Sequence, residues 1–332
     1  MKRTTAAITA TCLCLLATCR PGAAWQAPGH HLATRVAVAA LSDELPAFFR
    51  HSAAAISHNS LDPDAFMHPI AEDELHDQEV PQHYIDLELL AGRPLPPKRS
   101  EFFDLCARLG LNPYKVGMAP YSVTEWTQRL TVAFAEHRRW PDNPYIRQKA
   151  LVYAGLLAHY AQDICQPLHT TVHYDGRAGA GGASPRTGIH QKVDALIGKL
   201  DLGAAGPPST APAKSPGERA AASRLKPVAF EDLFAAVCDR LHRSHALVEE
   251  VYKLEAELPD PRAALDPKSA AAAFARERLQ ACAEFTACLY LTAWRNSART
   301  RLPDWHIRER ALDGFPESQP AAGPGGRGQD VE

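Results

Sequence analysis

The feature that most constrains this chain is His159, Asp163 and His169, answered downstream by His190 and Asp194. Written as spacing, it is H-x3-D-x5-H, a gap, then H-x3-D. Residues 145–158 are rich in Ala, Leu, Val and Tyr at helical intervals and lack proline, which predicts a helix to about Cys165. Residues four apart share a helix face, so His159 and Asp163 project side by side. Pro167 lacks an amide donor and crowds the turn before it, so the helix is expected to bend or end there. His169 then approaches from another angle, and His190 and Asp194 repeat the i, i+4 arrangement on a second helix. A single pair of this kind is ordinarily a surface or core pair. Two pairs around a Pro-Leu-His bend point instead to a cluster of N/O-ligated metal ions, because the first sits in an otherwise apolar helix where a lone charge is costly.

The first 24 residues read as an export signal. Lys2 and Arg3 form a charged start, an apolar run follows from Ala6 to Ala17, and the small residues Gly22 and Ala24 precede a cut before Trp25. A lipoprotein cut before Cys19 competes, although Thr18 is a poor residue ahead of a lipidated cysteine. No later segment reaches about 18 apolar residues, so the expected product is secreted or periplasmic, without a transmembrane segment, and monomeric. The signal takes three basic residues and no acid from a chain of formal net charge −2, which leaves −5. A broad basic surface for nucleic acid is therefore not expected. Bound divalent cations would change the balance locally and leave room for an anionic substrate. Cys106, Cys165, Cys238, Cys282 and Cys288 remain, enough for one or two disulfides at most, with no C-x2-C for a zinc-thiolate site.

Helical patterns run roughly over 32–41, 101–110, 122–139, 145–165, 229–257 and 267–298, and 58–67 reads as a turn-rich segment carrying Asp62 and Asp64. No strand-like alternation persists, and no nucleotide-cradling glycine motif occurs. The expectation is all-α: one domain over residues 25–312 with about seven to nine helices. A disordered insertion is expected over 201–226, rich in Pro, Ala, Ser and Lys, and a disordered tail over 313–332.

Taken together, Trp25, His30, Asp64, His83, His159, Asp163, His169, His190 and Asp194 resemble, in order and spacing, the zinc-dependent phospholipases C and the single-strand-specific nucleases of the S-one/P-one type. The resemblance covers about residues 25–200. It implies an all-α fold around three zinc ions. One zinc would take Asp64, His83, His159 and one oxygen of Asp163. The second would take the other oxygen of Asp163, His30, and the α-amine and carbonyl of Trp25; the third would take His169, His190 and Asp194. The residue types suit this. A carboxylate can bridge two ions about 3.5–4 Å apart, and an α-amine titrates near 7.7–8.0, within reach of a metal.

The implied activity is hydrolysis of a phosphodiester by a hydroxide held between the paired ions, with Asp64 orienting it or accepting its proton. Asp62 competes with Asp64 as ligand. Tyr84 and Asp86 favour a nucleic acid or nucleotide substrate. The resemblance gives Tyr84 a stacking role worth about 1–3 kcal/mol and Asp86 a hydrogen bond to the base edge; otherwise Tyr84 is simply packed in the core. Met67 stands where the nucleases carry a basic residue, and Gly-Ile-His190 and Val193-Asp194 look nearer the phospholipases. The expectation is nuclease-type hydrolysis; phospholipid head-group hydrolysis and a non-catalytic zinc-binding helical protein are the alternatives. His31, His58, His68, His76 and His173 read as supporting or surface histidines, His173 and Asp175 as close enough to line the pocket, and Glu79 as a partner for a ligand histidine's other nitrogen.

Overall fold

The computed structural model describes residues 25–179, 183–203 and 215–318. The expected signal segment and the bulk of the tail lie outside the described residues, as does 204–214 of the expected insertion. In chain order the α-helices are α1 (Ala27–Ala39), α2 (Ala47–Arg50), α3 (Ala53–Asn59), α4 (Asp62–Phe66), α5 (Asp73–Glu79), α6 (Arg99–Arg108), α7 (Pro113–Val116), α8 (Ala119–Arg139), α9 (Pro144–Asp163), α10 (Ile189–Asp194), α11 (Pro216–Ala222), α12 (Leu233–His245), α13 (Val248–Lys253), α14 (Ala270–Ser297) and α15 (Asp304–Ala311). The all-α expectation is met, with no strand among the described residues beyond isolated bridges at Ile85–Gly117 and Tyr174–Gly176. The helices outnumber the expected seven to nine because several are one-turn pieces with no 3.6-residue pattern of their own to show. None is long and apolar enough to cross a membrane among the described residues.

The core forms where α8, α9 and α14 pack against one another and α1 and α3 close over α9. α9 starts at Pro144, whose fixed backbone suits a first helical position, with the Asn143 side chain capping the amides of Tyr145 and Ile146. From Ala154 onward every residue of α9 is buried, so its C-terminal turns run through the middle of the protein. Helix α3 approaches α9 closely at Gly155: a Cβ there would lie 2.4 Å from Asn59 Cβ and 2.8 Å from the Ile56 carbonyl oxygen.

Three expectations are corrected. Asp62 and Asp64 lie on the short helix α4 rather than in an open turn, since Pro63 sits in the first turn where it costs no hydrogen bond. The second half of the expected insertion carries α11, closed by a Ser215–Glu218 capping box, with buried Glu218 paired to Arg35 of α1. The start of the expected tail is ordered as well: Asp313 accepts from Asn143 and pairs with Arg310 of α15, and Ser318 hydrogen-bonds the Arg139 carbonyl.

Candidate metal centre

Helix α9 ends at Asp163, and Gln166-Pro167 turns the chain into a short 3-10 segment that carries His169. The break expected at Pro167 is present. Around it, three groups of ligand atoms converge: His30 with His159 and Asp163; Asp64 with His83 and His159; and His169 with His190 and Asp194. Asp64 rather than Asp62 is the residue brought in, its Oδ1 lying 3.7 Å from His159 Nε2. Asp163 stands between the first two groups. Its Oδ1 is 3.5 Å from His30 Nε2, and its Oδ2 is 2.9 Å from His83 Nδ1 and 3.3 Å from His159 Nε2. In the third group His190 Nε2 lies 3.0 Å from His169 Nε2 and 3.2 Å from Asp194 Oδ2.

The far side of each ring tells which nitrogen carries a proton. His159 Nδ1 donates to the Ser60 carbonyl at 2.8 Å, and His169 Nδ1 donates to the His83 carbonyl at 2.8 Å. His30 Nδ1 donates to Gln162 Oε1 at 2.8 Å, while Gln162 Nε2 is engaged with Thr34. Those partners accept only, so in the neutral rings the three Nε2 atoms carry lone pairs. The lone pairs face carboxylate oxygens or another imidazole nitrogen. Lone pair against lone pair at 3–3.5 Å is repulsive unless a cation or a proton lies between. His30 Nε2, Asp64 Oδ1, Asp163 Oδ1 and Asp194 Oδ2 are buried with no hydrogen-bond partner. Such orphaned atoms are costly and are rarely kept without a use.

No protein-family model and no curated protein matches this chain. What the centre can do follows from its own atoms. Among the described residues, the ion pairs reaching Asp64, Asp163 and Asp194 all come from histidines. Burial pushes the Asp194 carboxyl well up and the His30 and His190 imidazoles well down. Burial also works against charge on His83 and Asp163, but there the partners win. Hydrogen bonds to Asp163 and Glu79 hold His83 up at about 10, and His159 and His83 hold Asp163 well below the usual carboxylate range. In the metal-free centre a proton on His83 therefore sits where a divalent cation would compete for the same lone pair. These donors, imidazole nitrogens and carboxylate oxygens, suit borderline divalent ions such as zinc.

The other expected residues distribute as follows. Trp25 is fully buried, and its indole donates to the Gln162 carbonyl at 3.0 Å, one residue before Asp163. The Gln26 amide donates to the Asp194 carbonyl, which brings the start of the described chain against the third group. Tyr84 and Asp86 lie on the stretch that follows His83. Ile85 between them donates its amide to the His169 carbonyl, and Gly117 packs so tightly behind that a Cβ would be 2.2 Å from the Tyr84 oxygen. Tyr84 is half-buried, its hydroxyl on the Tyr114 carbonyl. Burial, with Glu88 adding to it, pushes the Asp86 carboxyl up to about 7. Glu79 Oε1 is 3.3 Å from His83 Nε2 and also accepts from Tyr160, as a support for a ligand histidine should. Asp175 accepts the amides of Gly188 and His190 and holds the start of α10, beside the third group. His31, His58, His68, His76 and His173 stand outside the three groups.

Sequence reasoning missed Gln162, Gln166 and the Ser60 carbonyl. Gln166 Nε2 donates to Asp194 Oδ1 at 2.8 Å, which turns the other oxygen toward His190. The available signal was a pair of amides four apart in an apolar stretch: Gln162 and Gln166 are fully buried, and a buried amide needs partners.

Proposed function

We propose that this chain is a zinc-dependent phosphodiester hydrolase of the phospholipase C and single-strand nuclease type, holding three zinc ions and acting on single-stranded nucleic acid or a 3′-nucleotide. The observation that carries the proposal is the set of Nε2 lone pairs on His30, His159 and His169, locked by acceptors behind them and aimed at carboxylates or a second imidazole. When bound, zinc supplies Lewis acidity, which neutralises phosphate-ester charge and makes water a stronger acid. Asp163 offers one oxygen toward His30 and the other toward His83 and His159, the disposition of a bridging carboxylate. The Asp64 side chain is 18 % exposed while its Oδ1 is buried toward His159, so it can both hold water and accept its proton. His169, His190 and Asp194 form the third ligand set. Trp25, after export cleavage, would bring its amine and carbonyl to the His30 side. Tyr84 and Asp86 would take the base by stacking and by its polar edge.

A second reading, hydrolysis of phospholipid head groups, is favoured by one surface. Ile70 is 88 % and Leu75 41 % exposed on the segment between α4, which carries Asp64, and the end of α5, which carries Glu79. The same segment exposes Glu72, Asp73, Glu74 and Asp77, and Met67 is buried and brings no cation to it. A polyanion meets like charge there, and a lipid surface meets two apolar side chains. The deciding experiment compares single-stranded DNA, RNA, 3′-nucleotides and phosphatidylcholine with zinc present. EDTA-sensitive turnover of the nucleic substrates is the expected result. Turnover of lipid alone would overturn the nuclease assignment in favour of the phospholipase one. No turnover by a zinc-loaded sample beginning at Trp25 would leave a non-catalytic zinc protein.

A further inference from the structure

Directly behind the metal-ligating turn lie two sulfurs that the centre does not use. Cys165 follows Asp163 by two residues, Cys282 lies midway along α14, and both are fully buried. Cys165 donates to the Ala161 carbonyl at 3.2 Å, and Cys282 sits 3.8 Å from the carbonyl of the next residue, Gln162. The two thiols thus lie against consecutive carbonyls of the last turn of α9 and interact with each other. Arg240 from α12 and Arg278 from α14 act electrostatically on both sulfurs, and the Nε of each arginine is buried without a hydrogen-bond partner.

We propose that Cys165 and Cys282 are the site of an internal disulfide that ties the C-terminal end of α9 to α14. The oxidant is a small disulfide such as oxidised glutathione, or the disulfide of an exported thiol oxidoreductase. One thiolate attacks the oxidant's S–S bond to give a mixed disulfide and releases one thiol; the second thiolate then attacks that mixed disulfide and releases the other. Two S–H bonds and one S–S bond are lost, one S–S bond forms in the protein, and the oxidant takes up both electrons and both protons. Both sulfurs are sealed in the folded core, so exchange takes place while α14 docks on α9, and the finished bond is shielded from reductant. The remaining cysteines are placed less well for this pair's role. Cys238 is only half-buried, and Cys288 accepts from the Val228 amide at 3.3 Å on the other side of α14.

The test is alkylation of denatured protein that was refolded with oxidised and reduced glutathione, counted by mass before and after reductant. Two fewer alkylated thiols in the unreduced sample, with a cross-linked peptide joining Cys165 to Cys282, is the expected result. Equal counts, or a link joining other cysteines such as Cys106 and Cys238, overturns the proposal. C282S supplies a second check, since it should give the same thiol count with and without reductant. The melting temperature of the oxidised wild type should fall on reduction under denaturing pre-incubation, and that of C282S should not; a C282S sample that shifts equally contradicts the assignment.

Discussion

Gly155→Ala tests whether helix packing, rather than the ligands alone, sets metal affinity. The new Cβ would stand 2.4 Å from Asn59 Cβ and 2.8 Å from both the Asn59 carbonyl carbon and the Ile56 oxygen. Two of those atoms are backbone, so no rotamer change relieves the clash and α3 must move off α9 by about 1 Å to restore ordinary contact. The residue after α3 is Ser60, whose carbonyl holds His159 Nδ1 at 2.8 Å. A 1 Å retreat takes that contact beyond hydrogen-bond range, and the imidazole loses its fixed tautomer. Overpacking costs about 1–3 kcal/mol, and the gain of alanine over glycine inside a helix returns about 1 kcal/mol. The net loss is about 0–2 kcal/mol, a fall in Tm of roughly 0–8 °C for a domain of this size. Loss of the outer partner of a ligand histidine should cost about 10–100-fold in metal affinity. Zinc affinity, measured by competition with a chromophoric chelator, is therefore the decisive assay and Tm the control. Wild-type zinc affinity with a raised Tm would refute the link between the Gly155 contact and His159.

Gln166→Leu should leave the first two ligand groups intact and weaken the third by about 10–100-fold, because it frees Asp194 Oδ1; zinc titration should then show one weakened site. The metal-free protein should lose stability as pH rises through the alkaline range. His83 is held at about 10 against an ordinary 6.5, so its contribution is fully present below 6.5 and lost through about 10. Zinc binding should accordingly release protons, visible as buffer-dependent heats in calorimetry, and its affinity should rise with pH. Asp86 behaves oppositely to a salt-bridged carboxylate. Its folded value of about 7 lies above 3.8, so its contribution is present below 3.8 and lost as pH rises through about 7. Asp86→Asn should flatten the stability profile between those values, and an unchanged slope would contradict the burial of that carboxyl.

The parts legible in the sequence were those whose signal is local. His159 and Asp163, and His190 and Asp194, announce themselves because four-residue spacing on a helix puts them on one face, and Pro167 marks the break between them. The apolar runs of α8, α9 and α14 carry enough turns for a 3.6-residue period to show, whereas α4 and α7, of four or five residues, carry almost none. Asp64 was ambiguous with Asp62 because, two residues apart on a helix, they differ in the face they point to and not in residue type. Gln162 and Ser60 were invisible for another reason. Gln162 acts on His30 across 132 positions and Ser60 on His159 across 99, and no local pattern encodes such pairings. The helix α11 was masked by a composition poor in large apolar residues; its order comes from the Ser215–Glu218 box and from Arg35, a partner far away in the chain.

The most direct measurement is the metal content of protein beginning at Trp25, with ion positions found by anomalous scattering at the zinc edge. Three ions per chain are expected: one near His30 and Asp163, one near Asp64, His83 and His159, and one near His169, His190 and Asp194. A folded sample that takes up no stoichiometric zinc, or that holds it away from Asp163, would contradict the claim that these lone pairs were placed for cations.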